Sequence, residues 1–154
     1  GIADLHRRAQ ISEAANQRYL DALASIDTDR LLGEIVETVC RPVRWKSQRV
    51  RPLHPWAKED TVLLETISRG EFNVNGFRNQ DIRCHIYPGD HDVKTKRRHS
   101  ARVTYRLRML RAHEIIRKVP RTFRYVLTDK GRLIVTAIIQ TQNIPITRIT
   151  ALAA

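Results

Sequence analysis

The feature that most constrains this chain is residues 94–128, where a strongly basic segment of helical periodicity runs into two short apolar segments separated by a proline turn. Residues 94–112 carry eight Lys or Arg (Lys94, Lys96, Arg97, Arg98, Arg102, Arg106, Arg108, Arg111) and no Asp or Glu. At about 3.6 residues per turn, Val103, Leu107 and Leu110 share one stripe of a helix. Arg98, Arg102, Tyr105, Arg108 and Ala112 fall on or near the opposite face. One face is therefore expected to meet a core, and the other to be cationic with an aromatic ring interleaved. Ile116-Arg117-Lys118-Val119 and Arg124-Tyr125-Val126-Leu127 then read as a hairpin with Arg121 and Thr122 at its tip, beside Pro120 and Phe123.

Residues 98–132, RHSARVTYRLRMLRAHEIIRKVPRTFRYVLTDKGR, carry a family pattern. The run resembles the recognition helix and wing of winged helix-turn-helix proteins such as the multiple-antibiotic-resistance and arsenical-resistance repressors. Their pattern is S-x-x-V-T-x-x-L-x-x-L, then a G-L-I-x-R-type entry to the wing and an R-Y-x-L-T-x-K-G-R exit. Ser100, Val103, Thr104, Leu107, Leu110, Ile115, Ile116, Arg117, Arg124, Tyr125, Leu127, Thr128, Lys130, Gly131 and Arg132 match it. Glu114 stands where those families usually have Gly, so that turn is expected to form without easy access to positive φ. The resemblance spans residues 56–142. It implies a mostly α fold with a small antiparallel β-wing, and specifies a fold better than a target.

Double-stranded DNA is the partner that follows from it. A major groove admits an α-helix, and Arg can donate two hydrogen bonds to guanine. Arg98, Arg102 and Arg108 have that chemistry, Tyr105 suits a thymine methyl or a phosphate, and Arg97, Ser100 and Thr104 lie on the same helix. Arg121 and Thr122 at the tip are placed for the minor groove or its phosphates, with Lys118 and Arg124 flanking for backbone contact. Composition agrees: the net charge is +12, with four Arg against seven acids in residues 1–40 but 24 Lys or Arg against nine acids in residues 41–154. Such a balance points to a polyanion. A membrane surface fits less well, because the cations sit on the helix and hairpin rather than beside an apolar insertion face. No apolar run approaches the ~20 residues of a membrane span.

Residues 1–40 read as a helical segment. Over residues 2–26, Ile2, Leu5, Ala9, Ser12, Asn16, Tyr19, Leu23 and Ile26 step by threes and fours, a seam that would pair two chains as a homodimer or dock on a parent region. Asp27-Thr28-Asp29 signals a second helix start, carrying Leu31, Leu32, Ile35, Val36 and Val39 and ended by Pro42. Residues 41–55, with three prolines, read as a basic linker. Its Arg44 and Arg49 suit a phosphate backbone, or else it is a tether with Trp45 and Val50 tucked into a core. Pro55, Glu59 and Asp60 open the next helix, its apolar face Leu63, Leu64 and Ile67, and Gly70 ends it. Phe72 and Val74 read as a strand pairing with the wing. A helix over 78–87 places Ile82 and Ile86 inward, and a last helix carries Leu133, Ile134, Ala137 and Ile138. Residues 143–154 form a tail.

Catalysis is not expected. Asp90, Asp92 and Lys94 superficially resemble a nuclease metal set, but they crowd one turn rather than adjacent strands. His85, His91, His99 and His113 lack zinc spacing, no phosphate loop is visible, and no metal or cofactor is expected. His113 reads as a helix C-terminal residue favouring the dipole when protonated. Cys40 and Cys84 read as small buried hydrophobes of a reduced, cytoplasmic protein. The start at Gly1 suits a piece of a longer protein, so a transcriptional regulator and a DNA-binding module of a mobile-element or replication protein both remain. The alternative is a non-catalytic winged domain whose basic face meets an acidic protein or RNA.

Overall fold

The apolar stripe of the basic helix is sealed: Val103, Leu107 and Leu110 are all at most 2% exposed. A computed structural model describes residues 32–89 and 91–142. The seam over 2–26, the Asp27-Thr28-Asp29 signal, Asp90 and the tail lie outside the described residues. In chain order these are α1 (Leu32–Val39), β1 (Val43–Trp45), β2 (Gln48–Val50), α2 (Lys58–Ile67), α3 (Gly70–Asn75), α4 (Asn79–Ile86), α5 (Val93–Ala112), β3 (Ile116–Lys118), β4 (Tyr125–Leu127) and α6 (Asp129–Gln142). The architecture is mostly helical with two small antiparallel sheets, β1–β2 and β3–β4. No described helix is long and apolar enough to cross a membrane.

The core forms where α4 packs on α5 and α2, and where α6 packs on α1 and α2. Leu63, Leu64 and Ile67 of α2 meet Ile82 of α4, the α5 stripe, and Ile134 and Ile138 of α6 in one buried cluster. Ile115 and Ile116, fully or nearly buried, fasten the root of the β3–β4 hairpin to it. Thr128 begins α6: its Oγ1 accepts from the Gly131 N–H at 2.8 Å, taking one of the amides a helix start leaves unpaired. Gly131 is required by contact. A Cβ there would stand 1.9 Å from the Ile115 carbonyl oxygen, which no side chain allows.

Several expectations from sequence are corrected. Phe72 and Val74 do not form a strand. Period-two alternation would bury both, yet Phe72 is buried and Val74 is 50% exposed, on opposite sides of the short helix α3. Gly70 accordingly opens α3, and α2 closes before it, at Ser68. The pairing passes to Phe77, which exchanges backbone hydrogen bonds of 2.9 and 2.8 Å with Tyr125 after a turn at Gly76 with φ of 64°. Residues 41–55 are not an extended arm. Lys46 and Ser47 take φ of 47° and 62°, giving the two-residue turn that matches strand twist. Val50 and Leu53 are buried, and the Leu53 N–H donates to the Val39 carbonyl at 2.9 Å.

Pro55 precedes α2 instead of occupying its first turn, and Asp60 is more than a dipole partner. Asp60 is 1% exposed and accepts two hydrogen bonds from Arg51, of 2.8 and 2.7 Å, and one of 2.9 Å from the His54 N–H. His113 is also buried, its Nε2 donating to the Arg51 carbonyl at 2.9 Å, so it does not serve the helix dipole as a cation. Ala112 is half-buried against the core, and Cys84 is exposed while Cys40 is half-buried. Glu114 does take positive φ, at 60°. The Thr128 hydroxyl donates to its carbonyl at 2.6 Å, and Lys130 holds its carboxylate at 2.7 Å. The turn thus forms in the left-handed region despite the missing Gly.

Two predictions follow from these contacts. Gly131→Ala should destabilise the fold by about 3 kcal/mol, because backbone must move at the hairpin root; urea unfolding measures it, and an unchanged midpoint would refute the close approach. The second concerns pH. Burial pushes the His113 imidazole below its ordinary value, although the Arg51 carbonyl pulls the other way. Below about pH 6.5 the unfolded chain therefore takes up a proton that the folded chain refuses, and stability falls. For Asp60, burial raises the pKa, but Arg51 and the His54 N–H outweigh it and hold the carboxyl below its ordinary value. Its stabilisation is present above about pH 4 and is lost as pH falls through the folded value. His113→Gln should remove the loss just below pH 6.5 and leave the acid limb in a urea series across pH.

Candidate nucleic-acid interface

A helix bearing cations on most of its turns can pack only if its inward positions are apolar or paired. On α5, Arg106 is the guanidinium that turns inward. It is 8% exposed, and its Nη2 meets the Glu59 carboxylate of α2 at 2.5 Å. The outward residues Arg97, Arg98 and Arg102 are exposed, and no ion pair among the described residues takes up their charge. Tyr105 is 54% exposed between them and the body. Arg98, Arg102 and Tyr105 border a cleft of about 570 Å³ whose other walls are Arg51, Glu59, Ala101 and Arg106. Its single carboxylate is committed to Arg106, and Arg51 is committed to Asp60. Arg98 and Arg102 are left as its uncancelled charges.

The presentation of α5 is fixed at its start. Asp92 caps it, its Oδ2 accepting from the Thr95 N–H at 2.9 Å, and that bond holds the carboxyl below its ordinary pKa. Two to three turns later α4 grips α5. Asn79 Nδ2 donates to the Ser100 carbonyl at 3.0 Å and to Thr104 Oγ1 at 2.9 Å, while Ser100 Oγ donates to Asn79 Oδ1 at 3.0 Å. Tyr87 stacks on His99 with ring centroids 3.8 Å apart. At the start of α4, Asp81 reaches back to accept from the Arg78 N–H at 2.7 Å.

The residues singled out from sequence therefore divide into two groups. Arg97, Arg98, Arg102, Tyr105, Lys118, Arg121, Arg44 and Arg49 are exposed. Ser100 and Thr104 are occupied with Asn79. Thr122 closes the hairpin turn, its hydroxyl donating to the Val119 carbonyl at 2.9 Å and accepting from the Arg124 N–H at 3.1 Å. The Arg124 guanidinium donates to the Asn75 carbonyl at 3.0 Å, and that of Arg108 to Gln48. Arg121 projects from the tip with φ of 59°, next to Phe123, which is 82% exposed beneath the Lys118 ammonium. Arg44 and Arg49 stand directly opposite each other on the outer face of β1–β2, a like-charge pairing that disfavours the hairpin.

Sequence reading missed Asn79, whose partners lie over twenty residues away and leave no local signal. It also missed Trp45 as an organising ring, with Lys46, Arg108 and Arg111 at 5.1, 5.7 and 5.0 Å from its centroid. Among the described residues no group of three His, Cys, Asp or Glu is placed to hold a metal ion. No protein-family model, curated protein or solved structure matches the chain.

Asn79→Ala should cost about 1–2 kcal/mol in stability, since it removes the three hydrogen bonds that join α4 to Ser100 and Thr104 and leaves the Ser100 hydroxyl without its acceptor. A urea midpoint equal to that of the parent protein would show that the clamp does not hold α4 to α5.

Proposed function

We propose that this chain binds double-stranded DNA through a winged helix-turn-helix, with α4 and α5 as the helix pair, α5 as the recognition helix and the β3–β4 hairpin as the wing. The observation that carries the reading is the asymmetry of charge pairing on α5. The inward Arg106 is matched by Glu59, while the outward Arg97, Arg98 and Arg102 have no carboxylate partner among the described residues. Unmatched guanidinium groups on a rigid helix suit base edges and phosphates, which supply acceptors in forked geometry. The Asn79 clamp supports it too, because it holds α5 at a fixed angle with that face outward. Arg121 at the hairpin tip lies beyond the packed body, as a minor-groove or phosphate contact requires. The chain performs no chemistry of its own in this reading. It serves a transcriptional regulator or the DNA-binding part of a mobile-element or replication protein.

Titration with duplex DNA across a salt series tests the reading. Affinity should fall steeply as salt rises. Arg121→Ala should leave unfolding unchanged and reduce the slope of log affinity against log salt by about one. Arg102→Ala should weaken a duplex selected from a random pool by about 1–3 kcal/mol, and random duplex by less. Arg69→Ala is the control, since Glu71 already neutralises Arg69 at 2.7 Å. Equal losses for Arg121, Arg102 and Arg69 would mean that only net charge is felt, and binding indifferent to salt would refute the reading outright.

A further inference from the structure

A second basic surface lies at the other end of α5. Trp45 of β1 and the start of β3 border a groove of about 510 Å³, whose charged walls are Arg111, Arg117, Lys118, Lys130 and Glu114. Four cations face one carboxylate there. Glu114 is already taken: the Lys130 ammonium, 2.7 Å away, holds its carboxyl below the ordinary range. Arg111, Arg117 and Lys118 have no ion pair among the described residues.

How these cations are held is informative. The Arg111 guanidinium lies 5.0 Å from the centroid of the Trp45 ring, and the Lys118 ammonium 5.6 Å from that of Phe123. An aromatic face attracts a cation through its quadrupole and restricts its position, yet leaves its full charge in place. Lys46 and Arg108 crowd the same indole at 5.1 and 5.7 Å, so three like charges gather round one neutral ring. The ring offsets part of their repulsion, and an anion of several charges beside Arg111 would offset more of it. Guanidinium groups fit phosphate oxygens in forked geometry, and an ammonium adds a point charge. Arg111 is thirteen residues beyond Arg98, about 20 Å along the helix, so the groove is distinct from the outward face proposed for base reading.

We propose that this groove is an oligophosphate-binding site that takes consecutive phosphates, either from the backbone of a nucleic-acid strand or from a free nucleotide. The chain has two Trp. Trp56→Phe removes the exposed one and makes Trp45 the reporter. Its emission is followed at low salt while tripolyphosphate, and separately a short duplex, is titrated in. A mobility shift records whether the duplex is bound at all. The expected result is a saturable change in Trp45 emission. Its midpoint should move at least tenfold in Arg117→Ala, which leaves the indole contacts intact, and with tripolyphosphate as the probe it should hardly move in the Arg98→Ala, Arg102→Ala double variant. A response to duplex alone assigns the phosphates to a strand, and a response to tripolyphosphate alone to a free oligophosphate. No emission change with either probe overturns the site, as does equal weakening of tripolyphosphate binding by the Arg117 and the Arg98/Arg102 variants. Duplex that fails to bind while tripolyphosphate shifts Trp45 defeats the DNA reading and leaves the groove standing.

Discussion

The fold depends on how a helix dense in arginine is packed without stranding a charge. A guanidinium taken out of water without a partner costs several kcal/mol, so any inward arginine on α5 needs a carboxylate. Glu59 meets that need for Arg106 and in doing so places the start of α2 against the middle of α5. The following residue, Asp60, grips Arg51 and the His54 N–H beside it. Arg51 in turn offers its carbonyl to His113, beside the C-terminus of α5. Two adjacent acids at one helix start thus tie α2 both to the middle of α5 and to its end, and the β1–β2 hairpin is carried along by the segment between.

A second constraint is close approach of backbone at the root of the β3–β4 hairpin. Gly131 lets α6 lie against the Ile115 carbonyl, and Gly76, where a Cβ would stand 2.4 Å from the Tyr125 carbonyl oxygen, lets α3 turn into the Phe77 bridge. Between these contacts Glu114 accepts positive φ, a cost of about 1–3 kcal/mol for a residue with a side chain. The Thr128 hydroxyl and the Lys130 ammonium offset part of it. The hairpin is therefore anchored stiffly at its base, and its tip carries Arg121 and Phe123 into solvent.

What could be read from sequence follows the range of the forces involved. The α5 stripe, the α6 face and the hairpin are local periodicities, and Val103, Leu107, Leu110, Ile134 and Ile138 sit where period and polarity place them. Phe72 and Val74 misled because two residues do not establish a period; burial of Phe72 alone separates helix from strand. In residues 41–55 the alternative that tucks Trp45 and Val50 into a core holds, but the hairpin is missed, because prolines and charge suggest a tether and Lys46-Ser47 makes a tight turn without the Gly or Asn that usually announces one. Asp60 and His113 look like ordinary helix-end residues until Arg51 is brought to them. Ser100 and Thr104 match a familiar pattern, and their hydroxyls here serve the contact with α4. Whether a polar residue faces a neighbour or solvent is a tertiary fact.

Charge on this protein is handled in two physically different ways, and the difference bears on where ligands can act. Arg51, Arg106, Lys130 and Arg69 each sit at 2.5–2.7 Å from a carboxylate, which fixes the side chain and cancels its field. Arg111, Lys118 and Lys46 lie over aromatic rings, which restrain the side chain and leave the field intact. For an incoming polyanion the first group is spent and the second is preorganised. The restraint lowers the entropy lost on binding, and the uncancelled charge supplies the attraction. Arg97, Arg98 and Arg102 form a third group, neither cancelled nor restrained by a ring. They lose more side-chain freedom on contact but can adjust to the acceptors they meet. On the proposed readings, the adaptable set on the outward face of α5 and the restrained set at Trp45 and Phe123 divide the tasks, the first meeting varied base edges and the second the repeating geometry of phosphates.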